Sequence, residues 1–165
     1  MNKHWRRLTW LLFVVYIAAF LKEVFFRLPA PLLAEALASS FGRIGFRLRY
    51  SNFTPFATIR YYLGGDPAPR VALENLAGNV LLFVPMGILL PVLFPRLRRF
   101  GALMLWAFGI SLGVEVIQLL TGWGQFDVDD LLLNLAGAAI GWCAYRSAAG
   151  VLRRRQTGER LRREA

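Results

Sequence analysis

Apolar residues crowd into four runs, at 8–26, 73–94, 100–120 and 131–152, separated by polar or basic breaks. Each run is about 20 residues long, the length a helix needs at a rise of about 1.5 Å per residue to cross the hydrocarbon of a bilayer. The first is interrupted only by Lys22 and Glu23, whose long side chains reach an interface or pair there. The pattern predicts an all-α polytopic integral membrane protein with about four transmembrane helices and a long loop between the first and second. A secretory signal is the competing reading of the front end, because Lys3, Arg6 and Arg7 precede the first apolar run. No small-residue cleavage site follows closely and apolar character resumes at Val24, Phe25 and Phe26, which favours a retained anchor.

The connecting segment 27–72 has a pattern of its own. Apolar residues recur at near-helical spacing over 31–46, with Glu35 and Arg43 among them, which predicts a helix lying along the membrane surface. Trp5, Phe53, Phe56, Tyr61 and Tyr62 are either interfacial aromatics or members of a packed loop. Gly64, Gly65, Pro67 and Pro69 break the chain before the second span. The organisation is therefore one membrane domain over 1–152 and a basic tail over 153–165.

Polar residues inside the apolar runs fall into register. At 100° per residue, Ser111, Glu115 and Gln118 share one stripe of the third span, Asn75 and Asn79 one of the second, and Asp130 and Asn134 one of the fourth. A carboxylate at the depth of Glu115 costs about 2.5–3.5 kcal/mol on insertion scales, so it faces protein or a water-filled cavity. Two readings stay open. These groups either bind one another as packing glue or line a polar pocket that opens toward one face of the membrane. Two Gly-xxx-Gly patterns, Gly109 with Gly113 and Gly137 with Gly141, favour close helix approach.

The entrance to the fourth span carries Asp127, Asp129 and Asp130. Asp127 suits an N-cap, and carboxylates in a first turn favour the positive end of the helix dipole. The alternatives are a divalent cation held by oxygen ligands, although the spacing is not that of a calcium loop, and general acid–base chemistry by Glu115 with Asp127 or Asp130. His4 is the only histidine and Cys143 the only cysteine, which leaves histidine-based metal or nucleophile systems and an intrachain disulfide without support. No metal site and no cofactor are expected.

Composition agrees with the membrane reading: 56% of residues are hydrophobic and 18% charged, yet the net charge is +10. That charge is segregated. Arg96, Arg98 and Arg99 fill the break between the second and third spans, and Arg153, Arg154, Arg155, Arg160, Arg162 and Arg163 fill the tail, whereas 121–130 has neither Lys nor Arg. The positive-inside rule then places both termini in the cytoplasm and the acidic loop outside. Arg27, Arg43, Arg47, Arg49, Arg60 and Arg70 in the first loop run against that bias, although long loops weigh less in the rule. Beside apolar spans the basic clusters read as topology determinants and binders of anionic headgroups rather than of nucleic acid.

The residues resemble a known family. Asn79, Pro85 and Gly87, then Ser111, Glu115 and Gln118, then Phe126, Asp127, Asp129, Asp130, Asn134 and Gly137 look like successive motifs of the VanZ-like bacterial membrane proteins. Asn52, Pro55 and Phe56 resemble the motif upstream of them, so the likeness runs in order over 52–141. One departure stands out: the family commonly has a Gly-Arg pair shortly before the Phe-Asp segment, where this chain has Trp123 and Gly124. The resemblance implies a small multi-pass cell-membrane protein related to one associated with teicoplanin resistance. It also implies Asn79, Glu115, Gln118, Asp127, Asp129, Asp130 and Asn134 as functional candidates, to which the stripe on the second span adds Asn75. The reading that follows is a non-catalytic protein whose external polar pocket binds an amphiphile, such as a lipid-linked envelope precursor or a lipoglycopeptide, with membrane lipids as its other partners. A membrane enzyme acting on a lipid-like substrate through Glu115 and the aspartates is the rival.

Overall fold

The computed structural model describes residues 3–25, 44–65, 67–122 and 124–164, and among them it is all helical, with six α-helices and no strand. The expected first span forms α1 (Lys3–Phe25). Two short helices, α2 (Ile44–Tyr50) and α3 (Ala57–Leu63), lie in the long loop. The segment 31–43 of the expected surface helix lies outside the described residues. The second and third runs become α4 (Pro69–Leu93) and α5 (Phe100–Thr121), joined by a 3-10 turn at Pro95–Arg98. The fourth begins α6 (Val128–Glu164), which continues without a break through the basic tail.

Each long helix has a local reason to start or stop. Pro69 occupies the first turn of α4, where its missing N–H is not needed. Gly122 ends α5 in the left-handed region (φ 75°) and donates its N–H to the Gln118 carbonyl at 2.8 Å. Asp127 caps α6, its Oδ1 accepting the Asp129 N–H at 2.8 Å.

Ring contacts and glycine contacts fix the directions of the helices. Trp10 meets Phe94 and Phe20 meets Phe83, so α1 runs antiparallel to α4. The Tyr16 hydroxyl donates to the Leu82 carbonyl at 2.9 Å, beside the Phe20–Phe83 contact. The closest interface joins α4 to α6, which run parallel. A Cβ built on Gly137 would lie 2.0 Å from the Val80 carbonyl oxygen, and one on Gly141 2.1 Å from that of Val84. Gly87 reciprocates, its Cβ position being 2.2 Å from the Ala138 oxygen. Only hydrogen fits at these three sites.

The pair Gly109 and Gly113 behaves differently, with nothing within 4 Å of either added Cβ. The close approach of α5 is made instead by the buried stripe Leu103, Ala107, Ser111 and Glu115, whose spacing of four keeps it on one face. The physical reason is polarity: Ser111 and Glu115 have partners on the α6 side, so that face turns inward and the glycine face turns out.

The surface is inverted relative to a water-soluble domain. Leu105 is 71% exposed, Leu81 65% and Trp106 59%, whereas Ser111, Glu115, Asp129 and Asn134 are buried. Large exposed apolar residues around a buried polar centre suit a lipid solvent. By length and composition, α4 and α5 are each able to cross a membrane.

Candidate functional site

The two loops expected at one end of the bundle meet there. Asn52 and Asp127 form a parallel β-bridge, in which the Asn52 N–H donates to the Phe126 carbonyl at 2.8 Å and the Val128 N–H to the Asn52 carbonyl at 3.0 Å. Phe53 stacks on Phe126 with ring centroids 5.2 Å apart. The bridge draws the start of α6 against the residues leading into α3.

Side chains complete the joint. The Asn52 amide donates to Asp127 Oδ1 at 2.8 Å and to Thr58 Oγ1 at 3.0 Å, while its own Oδ1 accepts the Thr54 N–H at 2.9 Å in an Asx turn. The Thr58 hydroxyl donates to Asp127 Oδ2. Asp129, fully buried, accepts the Phe56 N–H on Oδ1 and the Ile59 N–H on Oδ2 at 3.1 Å. It therefore serves as the N-terminal cap of α3 from another part of the chain. Phe56 adopts left-handed backbone (φ 67°), which costs a non-glycine residue about 1–2 kcal/mol and turns its N–H toward Asp129.

Three further rungs tie the long helices together. The Glu115 carboxylate accepts the Asp127 N–H at 2.9 Å, joining α5 to the start of α6. Asn79 of α4 donates to Asp130 Oδ1 of α6. Deeper in the bundle, Asn134 of α6 donates to Ser111 Oγ of α5 at 2.9 Å. The Oδ1 atom of Asn134 is buried with no hydrogen-bond partner, an omission that costs about 1–3 kcal/mol where nothing fills it. Glu115 is 2% exposed and Asn134 3%.

Of the residues singled out in the sequence, Glu115, Asp127 and Asp129 thus share one hydrogen-bonded set, while Asn79 with Asp130 and Asn134 with Ser111 form two further pairs between the long helices. Gln118 packs instead beside the turn after α5, its Cδ 3.3 Å from a Cβ built on Gly124. Asn75 stands apart, exposed, with its amide donating to the Val71 carbonyl one turn back at 2.9 Å. It lines a cleft of about 550 Å³ between α1 and α4, with Glu23, Glu74, Gly78, Leu81 and Leu82 beside it among the described residues.

Three participants were not among the site candidates read from the sequence. Thr58 had no local signal. Tyr62 on α3 lies near the acidic end; burial first, then the charges of Asp130, Tyr61 and Asp127, raise its phenol above the ordinary tyrosine range. Arg47 on α2 donates to the carbonyls of Leu119 and Leu120 at 3.1 and 2.7 Å, satisfying the C-terminus of α5. Its partners lie some seventy residues away, so nothing near Arg47 announces them. Among the described residues, no group of three or more His, Cys, Asp or Glu side chains converges to hold a metal ion.

Comparison with known proteins gives this geometry a family. Protein VanZ of Enterococcus faecium is 30% identical over 117 residues, covering 69% of this chain and 71% of that protein. No solved structure matches. The VanZ/LLP1 family model matches residues 13–152, from the middle of α1 to well inside α6, and the chain belongs to that family.

Proposed function

We propose that the chain is a four-span membrane protein, α1, α4, α5 and the first part of α6 crossing the bilayer, that binds an amphiphile from the outer leaflet and protects the cell envelope without chemistry. Both termini and the turn carrying Arg96, Arg98 and Arg99 are cytoplasmic in this reading, and Asn52 and the 127–130 segment are external. The topology draws support from the bridge between Asn52 and Asp127, because two loops that hydrogen-bond must lie on the same side of a membrane.

The observation that carries the binding reading is the α1–α4 cleft. Glu23, Glu74 and Asn75 bring polar groups to it, and half-buried Leu82 and exposed Leu81, up to two turns further along α4, give it an apolar side. A polar end beside an apolar side suits a hydroxyl- or amine-bearing headgroup with a hydrocarbon tail. A lipid-linked envelope precursor and a lipoglycopeptide of the teicoplanin kind both have that form. Binding is favoured over catalysis because a general base needs an oxygen that reaches substrate. Here both oxygens of Asp127 and of Asp129 accept bonds from the protein, and Glu115 is buried beneath them.

Gly78 offers the test. It lines the cleft and an added Cβ meets nothing within 4 Å, so Gly78→Phe fills the space without disturbing helix packing. In a teicoplanin-sensitive host, the wild-type chain is expected to raise the inhibitory concentration and Gly78→Phe to abolish that rise at equal membrane abundance. Full protection by Gly78→Phe contradicts cleft binding. Loss of protection in Glu115→Gln with normal folding would favour the enzymatic alternative.

A further inference from the structure

We infer that Arg98, Arg99 and Arg146 form a binding site for the phosphodiester headgroup of one anionic phospholipid, at the end of the bundle opposite the Asn52–Asp127 joint. The site shares no residue with the α1–α4 cleft, and in the topology proposed above it faces the cytoplasmic leaflet.

A proline fixes the first of these side chains. The Pro91 carbonyl, near the end of α4, would ordinarily accept the N–H four residues on, but that residue is Pro95 and has none. Arg98 Nε donates to it instead, at 3.3 Å, from the 3-10 turn. The same turn is tied to α6. The Trp142 indole N–H donates to the Arg98 carbonyl at 3.2 Å, and the Phe100 ring meets the Trp142 ring edge-on with centroids 5.0 Å apart. One turn further along α6, the Arg146 guanidinium lies over the Trp142 ring, 5.5 Å from its centroid. Trp142 therefore gathers arginines from two distant segments into one place.

Charge at this end is one-sided. Arg98, Arg99 and Arg146 are exposed, and among the described residues none of them forms an ion pair. No Asp or Glu occurs in the sequence between Asp130 and Glu159, and Glu74 and Glu115 lie toward the other ends of α4 and α5. A guanidinium stacked on a ring keeps its in-plane N–H donors for a ligand, and its planar fork matches two phosphate oxygens. The depth fits a lipid phosphate: α4 ends at Leu93 and α5 begins at Phe100, so the turn between them sits where apolar spans give way to headgroups. Trp142 belongs to the residue type enriched at that level. The missing carboxylate also selects the headgroup, because the ammonium of a zwitterionic ethanolamine lipid would meet guanidinium groups alone.

The test titrates the purified full chain, delipidated in a neutral detergent, with phosphatidylglycerol or with phosphatidylethanolamine of the same acyl chains, and counts bound lipid by native mass spectrometry. One phosphatidylglycerol per chain is expected to bind roughly tenfold or more tightly than phosphatidylethanolamine. Arg146→Gln and Arg99→Gln are each expected to weaken phosphatidylglycerol binding roughly fivefold, the effect of one arginine beside an anionic headgroup. Arg146→Lys keeps the charge without the stacked fork and is expected to recover only part of that loss. Arg49→Gln removes an exposed charge from α2 at the other end of the bundle and is expected to bind as wild type does. Circular dichroism checks folding; should a variant fail to fold, the wild-type preference between the two lipids decides alone. Equal binding of the two lipids, an Arg49→Gln loss as large as that of Arg146→Gln, or wild-type binding by a folded Arg146→Gln protein each overturns the proposal. Displacement of the lipid by soluble glycerol phosphate overturns it too, assigning the arginines to a free anion.

Discussion

Replacing Asp129 with alanine is expected to release the long loop from the bundle. The side chain is fully buried and accepts the backbone N–H groups of Phe56 and Ile59. Bonds from neutral donors to a charged group are worth about 1.5–3 kcal/mol each, which gives about 3–6 kcal/mol gross for the two. Removing a buried carboxylate also relieves its desolvation, so the net loss is about 2–4 kcal/mol. Asp129→Asn keeps one acceptor and turns an NH₂ group on the other N–H, and falls between alanine and wild type. The left-handed backbone at Phe56 amplifies the effect, since the bond to Asp129 is what offsets that strain. Unfolding titrated with SDS in mixed micelles reads the global loss, and tryptic cleavage at exposed Arg60, followed by mass spectrometry, reads the local one. An Asp129→Ala protein that unfolds within about 0.5 kcal/mol of wild type, with no faster cleavage at Arg60, would refute the role of this carboxylate as the anchor of α3.

Other substitutions separate the remaining contacts. Gly137→Val places atoms against the Val80 carbonyl and is expected to destabilise by about 2–3 kcal/mol in the same titration, whereas Gly113→Ala, facing open space, is expected to be neutral or stabilising by up to about 1 kcal/mol. Equal effects at the two sites would contradict the packing. Arg47→Ala removes both carbonyl contacts at the end of α5 and is expected to lose about 1–2 kcal/mol, with Arg47→Lys recovering only part because the two-pronged guanidinium is gone; full recovery by lysine would reduce the role to charge alone. In a Cys143→Ser background, a cysteine at Gln125 is expected to react with an impermeant thiol reagent on intact cells and one at Arg98 is not; the reverse result inverts the topology.

The hydrophobic pattern made the long helices legible because each needs about twenty apolar residues and has a punctuated end: Pro69 in the first turn of α4, Gly122 after α5, Asp127 before α6. It also marked the polar stripe, since Ser111, Glu115 and Asn134 are conspicuous among aliphatic neighbours. What periodicity does not encode is the partner. Asp127 and Asp129 looked like a helix entrance open to a ligand, yet their oxygens are taken by Asn52, Thr58, Phe56 and Ile59, residues some seventy positions earlier. The two glycine pairs show the same limit. Their spacing is identical, and only the side on which polar partners lie decides that Gly137 and Gly141 meet a helix while Gly109 and Gly113 do not.

Photo-crosslinking in lipid nanodiscs tests the amphiphile cleft most directly. A diazirine-bearing lipid-linked headgroup analogue, irradiated with the purified chain and mapped by mass spectrometry, is expected to attach at Leu81 and Leu82 more heavily than at exposed apolar residues elsewhere, such as Phe108 and Ile140, and to lose those adducts in Gly78→Phe while keeping the others. Adducts spread evenly over all lipid-facing residues, or adducts at Leu81 and Leu82 that persist in Gly78→Phe, would contradict a binding cleft between α1 and α4.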